Sequence, residues 1–345
     1  MFPRMRERAE SLCQFPGRRT SAVHSPNRAG ATGMTAPPIT FNAGVMAAHA
    51  DALPADAAYR GYSMEILRAK TAGFCMGVSL ALQKLDTALE QAHGKRICTL
   101  GPIIHNPQVL ADYERRGVFC AASPDELGPG DCVLIRAHGI TRQVEEAVRA
   151  SGAQVQDATC PKVKKAQLSI FKATEGGATL LLFGEAEHPE VRGLLSYARG
   201  AAHVFGSSAE LAGLPLDPAV DYVLASQTTQ DRGVFENLVR EWQARLPHLE
   251  VLSTICDATR ERQDEALKIA ACVDVMVVVG GRQSGNTRRL ADLAAQCGRT
   301  TFHIEEPSEL RAENFSKKSR VGLTAGASTP KRLIDAAQSW LEALP

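Results

Sequence analysis

From Met64 onward, short apolar runs alternate with longer segments whose apolar residues recur at helical spacing. EILRA, ICTLG, CVLIRAHG, TLLLFGEA, YVLASQ, VMVVVGG and VGLTAGA are the runs. A run of about five such residues that ends in Gly or a polar residue and leads into a helical pattern is a βα unit, and repeated βα units predict largely parallel sheets. In such α/β sheets a ligand sits outside the carboxyl ends of the strands, so the strand-to-helix junctions are where chemistry is expected.

Those junctions share a device. Asn106-Pro107, Cys160-Pro161, His188-Pro189 and Thr329-Pro330 each place a proline where a first helical residue would lie, with a polar or thiol side chain before it. Helix starts of this kind aim backbone N–H groups and the positive end of a dipole at the cleft, which suits an anion.

The chain has 345 residues, enough for two or three lobes of roughly 100 residues each. Lys plus Arg (39) nearly balances Asp plus Glu (38), so no general basic field draws the chain onto nucleic acid. No stretch approaches the roughly 18 uninterrupted apolar residues of a membrane span. Residues 1–63 differ from the rest, being rich in Arg, Ala, Pro, Ser and Gly with no sustained apolar period. They read as a disordered extension or as sequence ahead of a true start at Met64. The expected location is the cytoplasm, with a plastid in question only if residues 1–63 act as a transit peptide, against which Glu7 and Glu10 count.

The nine cysteines form an odd set without a CxxC pair, which argues for a reducing compartment and against a disulfide scaffold. Cys75 in TAGFCMGV, Cys160 in DATCPKV and Cys256 in STICDATRERQ stand between a strand and a helix, where the dipole favours the thiolate that metals bind. Cys98, Cys120, Cys132, Cys272 and Cys297 sit within apolar patterns and read as buried fillers; Cys13 lies in the extension. Ligands 85 and 96 residues apart match no local metal motif, so on spacing alone the three could equally be buried thiols at tight turns.

The segments AGFCMGV, GPIIHNPQV, RAHGI, DATCP, HPEV, SQTT, ICDATRERQ, GGRQSGNTRRL and TAGASTP follow one another in the order seen in the 4-hydroxy-3-methylbut-2-enyl diphosphate reductase family, also called IspH or LytB. The resemblance runs from Met64 to the end. It implies an α/β protein of three similar lobes with mostly parallel sheets around a central iron–sulfur cavity. The lobes are expected at roughly 64–158, 159–255 and 256–345, with the C-terminal segment free to return to the first. It also implies one 4Fe-4S cluster held by Cys75, Cys160 and Cys256. Three thiolates leave one iron with an open site, so the cluster could serve as Lewis acid as well as electron carrier.

The implied reaction takes (E)-4-hydroxy-3-methylbut-2-enyl diphosphate, two electrons and two protons to isopentenyl or dimethylallyl diphosphate and water, the last step of the non-mevalonate isoprenoid pathway. Glu190 of EHPEV, on its own reading a helix-dipole partner, is by resemblance the proton source, working with Thr228 of SQTT. His105 and His138, with Ser284, Asn286 and Ser328, are implied on the diphosphate, and His188 near the reacting hydroxyl. Gly285 stands where some relatives carry serine, and is left out of the site because it offers only backbone. GGRQSG lacks GxGxxG spacing, so no nicotinamide site is expected. Arg288-Arg289, Lys162 and Lys164-Lys165 read as solvated helix faces, candidates at most for docking an acidic electron donor. The implied donor is ferredoxin or flavodoxin, and the expected assembly a monomer or weak dimer. The competing readings are a zinc or iron–sulfur sensor in which His138 or His188 supplies a fourth ligand, and a relative without activity.

Overall fold

The computed structural model describes residues 64–315 and 320–344; the readings made for residues 1–63, Cys13 included, lie outside them. In chain order the elements are β1 (Glu65–Arg68), α1 (Met76–Glu90), β2 (Arg96–Leu100), α2 (Pro107–Arg115), β3 (Phe119–Ala121), β4 (Asp131–Ile135), α3 (Arg142–Ala150) and β5 (Gln154–Asp157). Next come α4 (Pro161–Ala173), β6 (Thr179–Phe183), α5 (Pro189–Leu195), β7 (Ala202–Phe205), α6 (Ser208–Ala212), β8 (Tyr222–Ser226), α7 (Arg232–Gln243) and β9 (Leu249–Val251). The chain closes with α8 (Asp257–Cys272), β10 (Val275–Val279), α9 (Gly285–Gln296), β11 (Thr300–Ile304), β12 (Arg320–Ala325) and α10 (Lys331–Glu342).

These strands form three four-stranded sheets, ordered β3-β2-β4-β5, β7-β6-β8-β9 and β11-β10-β12-β1, and every pairing is parallel. All three follow one plan: the first strand lies inside, the second beside it at one edge, the third inside, the fourth at the far edge. In the last sheet the fourth place is taken by β1 from the other end of the described chain, in register Glu65↔Arg320 to Arg68↔Leu323. The strand that opens the described residues therefore belongs with residues 275–325; the three lobes share one α/β plan, and only the last takes a strand from the other end of the described chain.

The inner strands β4, β8 and β10 are buried at every position, as expected where helices cover both faces of a parallel sheet. Separate cores surround them. One packs Leu85, Ile104 and Leu134, another Phe183, Phe205 and Trp242, a third Val277, Leu323 and Ile334. Proline opens α2, α4 and α5 as the junction pattern predicts, and the Asn106 side chain caps α2 by accepting the Val109 N–H at 3.0 Å. At the fourth junction the helix starts one residue later than expected: Pro330 is the cap and Lys331 the first helical residue. Among the described residues no helix is long and apolar enough to cross a membrane.

Candidate active site

The shared plan of the sheets decides what meets at the centre. Each cysteine follows the fourth-place strand of a sheet: Cys75 after β1, Cys160 after β5, Cys256 after β9. Each also caps the next helix, α1, α4 and α8 respectively. Equivalent backbone bonds pin the three. Cys75 N–H donates to Ala327 O at 3.1 Å, Cys160 N–H to Ala137 O at 2.9 Å, and Cys256 N–H to Thr228 O at 3.0 Å, each acceptor lying just past the inner third strand of the same sheet. The other residues follow the inner strands, where strand order reverses and a crevice opens. His105 and His138 come after β2 and β4, His188 and Glu190 after β6, Thr228 after β8, Ser284 and Asn286 after β10, and Ser328 after β12.

All eleven side chains expected at the site line one cavity, whose volume measured at the centres of water-sized molecules is about 100 Å³. Its wall also includes residues not singled out from sequence: Gly77, Thr229, Thr259, Arg262 and the glycine set aside above, Gly285. Gly77 has a steric reason to be glycine, since a Cβ there would lie 2.4 Å from the Cys160 sulfur. Two positions past its own cysteine, α1 can approach the next thiol only without a side chain.

Burial pushes the Cys160 and Cys256 thiols up, while N–H groups of their helices (Lys162 and Val163; Ala258 and Thr259) pull them down and neighbouring thiols push up again. The dipole effect expected at these helix starts is thus outweighed by desolvation in the protein alone. Three half-buried thiols converging on one cavity, each capping a helix start, form a donor set that a multi-metal cationic centre would satisfy.

Arg262 is the buried cation on that side. It is 4% exposed and donates to the carbonyls of Thr71, Gly73 (2.7 Å) and Ala325 (3.4 Å), tying α8 to the loop that carries Cys75.

The same cavity is lined by a triangle of imidazoles. Ring centroids of His105 and His138 are 4.5 Å apart and each is 5.5 Å from His188, with ring nitrogens of all three within 4.8 Å of one another. Burial first, and then the neighbouring cationic and imidazole groups, pushes all three below the ordinary histidine range, His188 to about 4. They are neutral near pH 7. The Nδ1 of His188 accepts the Glu190 N–H at 3.1 Å, which places its proton on Nε2. His105 Nε2, His138 Nδ1 and Asn286 Nδ2 are buried without a partner. Buried polar atoms are rarely left so, and a cluster of them around one cavity is what a polar, multidentate ligand would fill.

Glu190 is 2% exposed and burial raises its carboxyl above the ordinary range, although Thr228 N–H donates to its Oε1 at 2.6 Å. Ser328 Oγ donates to His105 O at 3.0 Å and so joins two lobes.

Other readings need correction. Cys98 and Cys132 are buried, but Cys120 and Cys272 are exposed, and Cys297 is intermediate. Arg289 is not on a solvated face. Its side chain is 12% exposed and pairs with Glu185 at 2.8 Å, while Arg288 pairs with the same carboxylate at 2.6 Å. Lys162 keeps its solvated face, its side chain 41% exposed, while also lining the cavity and pairing with Asp257 at 2.8 Å.

Three fused parallel α/β units whose fourth strands deliver thiols, and whose inner strands deliver imidazoles and a buried acid, define a three-lobed protein built round a metal-competent cavity. A model of the LytB protein matches residues 66–342, and the chain belongs to that family. Membership carries with it an iron–sulfur cofactor. The 4-hydroxy-3-methylbut-2-enyl diphosphate reductase of Desulfovibrio desulfuricans is 69% identical over 286 residues, 81% of this chain and 100% of that one. The reductase of the same name from Geobacter sulfurreducens is 47% identical, covering 79% and 95%. Among solved structures, one of (E)-4-hydroxy-3-methyl-but-2-enyl diphosphate reductase, described as the terminal enzyme of the non-mevalonate pathway, is 38% identical with a TM-score of 0.61, covering 81% of this chain and 99% of that one. The E-1-hydroxy-2-methyl-but-2-enyl-4-diphosphate reductase of Plasmodium falciparum shares the fold, with a TM-score of 0.78 at 24% identity, covering 82% and 89%.

Proposed function

We propose that this chain reduces (E)-4-hydroxy-3-methylbut-2-enyl diphosphate to isopentenyl diphosphate and dimethylallyl diphosphate, consuming two electrons and two protons and releasing water. The observation that carries this reading is one cavity in which three helix-capping thiols face a protonatable carboxyl and a set of orphaned buried donors.

The assignment of side chains follows from their chemistry. Cys75, Cys160 and Cys256 would hold a 4Fe-4S cluster with one iron left open; when bound, that group supplies the electrons and a Lewis-acid site. His105, His138 and Asn286 bind the diphosphate through their partnerless nitrogens, with the Ser284 and Ser328 hydroxyls and the N-terminal turn of α9 beside them. An imidazole held neutral by burial gains a proton once a phosphate oxygen faces it, so binding and charging go together. Glu190, kept protonatable by burial, delivers a proton to the departing hydroxyl, and Thr228 fixes its carboxyl through the backbone bond and stands close enough to relay a proton from its own hydroxyl. His188 presents its Nε2–H toward the same region, since its Nδ1 is committed to the Glu190 amide.

Because the sequence contains no flavin or nicotinamide motif, electrons come from a separate carrier of the ferredoxin or flavodoxin type, in the cytoplasm, to a monomer or weak dimer. The deciding experiment is anaerobic turnover of the allylic diphosphate by reconstituted protein with a low-potential chemical reductant. Both isopentenyl isomers should form. A fully loaded protein that yields neither would end the reductase reading and favour a sensor, for which three ring nitrogens within 4.8 Å offer an alternative metal site.

A further inference from the structure

The N-terminal turn of α9 hides a cation with one unused donor. Arg289 lies one helical turn beyond Gly285, and two of its three nitrogens are engaged: Nε donates to Gln230 Oε1 at 2.8 Å and Nη2 to Glu185 Oε1 at 2.8 Å. Nη1 is buried and has no partner. A buried donor left unpaired is destabilising, more so when the group is charged, so a guanidinium kept in that state needs a reason.

Gly285 points to the reason. A Cβ at that position would stand 2.8 Å from Nη1, so the guanidinium occupies space that any side chain at 285 would contest. Gly285 itself is cavity wall, between Ser284 and Asn286, and Asn286 Nδ2 is another buried donor without a partner in the same turn. The remaining groups assigned to the anion are neutral hydroxyls, an amide and uncharged imidazoles. Arg289 is a permanent charge behind them, near enough to influence both Glu190 and His188, with Arg288 and Arg136 also reaching the imidazoles. A purely structural account would have Arg289 clamp α9 to the loop after β6 through Glu185. It explains two nitrogens and leaves the third, which stands nearest the wall.

We propose that Arg289 is a positioning residue for the diphosphate: its charge and its Nη1–H act on the anion through the gap left by Gly285. Glu185 then holds the guanidinium flat behind the wall while partly neutralising it. This rests on the cavity being a diphosphate site, and the test separates the two claims.

Inorganic pyrophosphate would be titrated calorimetrically into the anaerobic holoprotein and into R289Q, R289K, G285A and E185Q, each checked for iron content and thermal unfolding. Pyrophosphate should bind R289Q and G285A about tenfold or more weakly, the scale of one lost charged hydrogen bond, with R289K recovering part of the loss. E185Q removes the same ion pair from its other end, and that of Arg288 with it, yet should bind as well as wild type or better, because no carboxylate then offsets the guanidinium charge. Turnover should show a raised KM with a smaller change in kcat. Should R289Q fail to fold, G285A reads the same contact with the ion pair's residues intact. Equal affinity in wild type, R289Q and G285A would overturn the proposal, and so would parallel weakening in R289Q and E185Q, the mark of a clamp alone. A wild-type protein that binds no pyrophosphate would instead bring down the diphosphate reading of the cavity, and Arg289's role with it.

Discussion

The backbone N–H of Thr228, just beyond β8, donates at 2.6 Å to the Oε1 of Glu190, in the first turn of α5. The bond favours the carboxylate, yet burial outweighs it and holds the pKa of Glu190 above the usual carboxylate range. A fixed acid with a raised pKa is what proton delivery to a poor leaving group requires. Glu190→Gln keeps the shape and removes the proton. It should retain iron and bind substrate while losing about 10²–10⁴ in turnover. In the wild type, kcat should fall as pH rises through the raised pKa of Glu190. An E190Q rate equal to wild type, measured anaerobically, would remove Glu190 from the proton path.

The equivalent amide bonds of Cys75, Cys160 and Cys256 to the ends of β12, β4 and β8 predict equivalent losses. Alanine at any one of them should sharply lower iron and sulfide content and abolish most turnover, whereas Cys98→Ala, in a fully buried strand position, should leave iron content unchanged. Gly77→Ala should behave like a ligand variant although no donor is lost, because its Cβ meets the Cys160 sulfur. A fully loaded cluster in the Cys160 variant would refute the ligand assignment; normal loading in G77A would show that α1 yields.

What the sequence made legible divides along the sheets. The runs that stand out as strands, ICTLG, CVLIRAHG, TLLLFGEA, YVLASQ, VMVVVGG and VGLTAGA, are β2, β4, β6, β8, β10 and β12, the inner strands. Burial on both faces writes itself as an unbroken apolar run. The edge strands β3, β5, β7, β9 and β11 are short or half exposed and carry no such run; only β1, marked by EILRA, was readable at an edge. The site was legible because its side chains stand at strand ends beside Pro or Gly. Arg262 and Arg289 were not, because a long cation within a helical pattern looks the same whether it meets solvent or a neighbouring lobe. Cys120 and Cys272 erred the other way: apolar neighbours in sequence did not carry those thiols into a core.

Arg262 makes a separate, testable demand. Its guanidinium is burdened by burial, which depresses its pKa, and is kept in place by carbonyls of Thr71, Gly73 and Ala325 around the Cys75 loop. Arg262→Met fills a similar volume but leaves two buried acceptors and one half-buried acceptor without that donor, a loss on the order of 3 kcal/mol. The variant should unfold at lower denaturant and load less iron. Unchanged stability in urea would mean that these carbonyls find other partners.

The depressed histidines make the protein acid-sensitive in a defined window. A group whose folded pKa lies below its unfolded value contributes stability that is full above the unfolded pKa and is lost as pH falls through the folded one. For His188 that window runs from about 6.5 down to about 4, a loss of up to about 3 kcal/mol, with His105 and His138 acting in the same direction. Urea unfolding of wild type and His188→Asn between those limits should show a shallower decline in the variant. Parallel declines would assign the acid sensitivity to other groups.

Anion binding should run the same titration backwards. With His105 Nε2 and His138 Nδ1 unpartnered and both rings held neutral by burial, a diphosphate that faces them raises their pKa values, and protons are taken up as it binds. Two consequences can be measured with inorganic pyrophosphate. Its affinity should rise as pH is lowered from 8 towards the depressed histidine range, beyond what the ligand's own protonation explains. Calorimetric enthalpies in buffers of different ionisation heat should then report net uptake near pH 7, reduced in His105→Asn and His138→Asn. Uptake unchanged in both variants would place the diphosphate elsewhere in the cavity, against the helix N-termini and the hydroxyl groups of the last lobe rather than between the imidazoles.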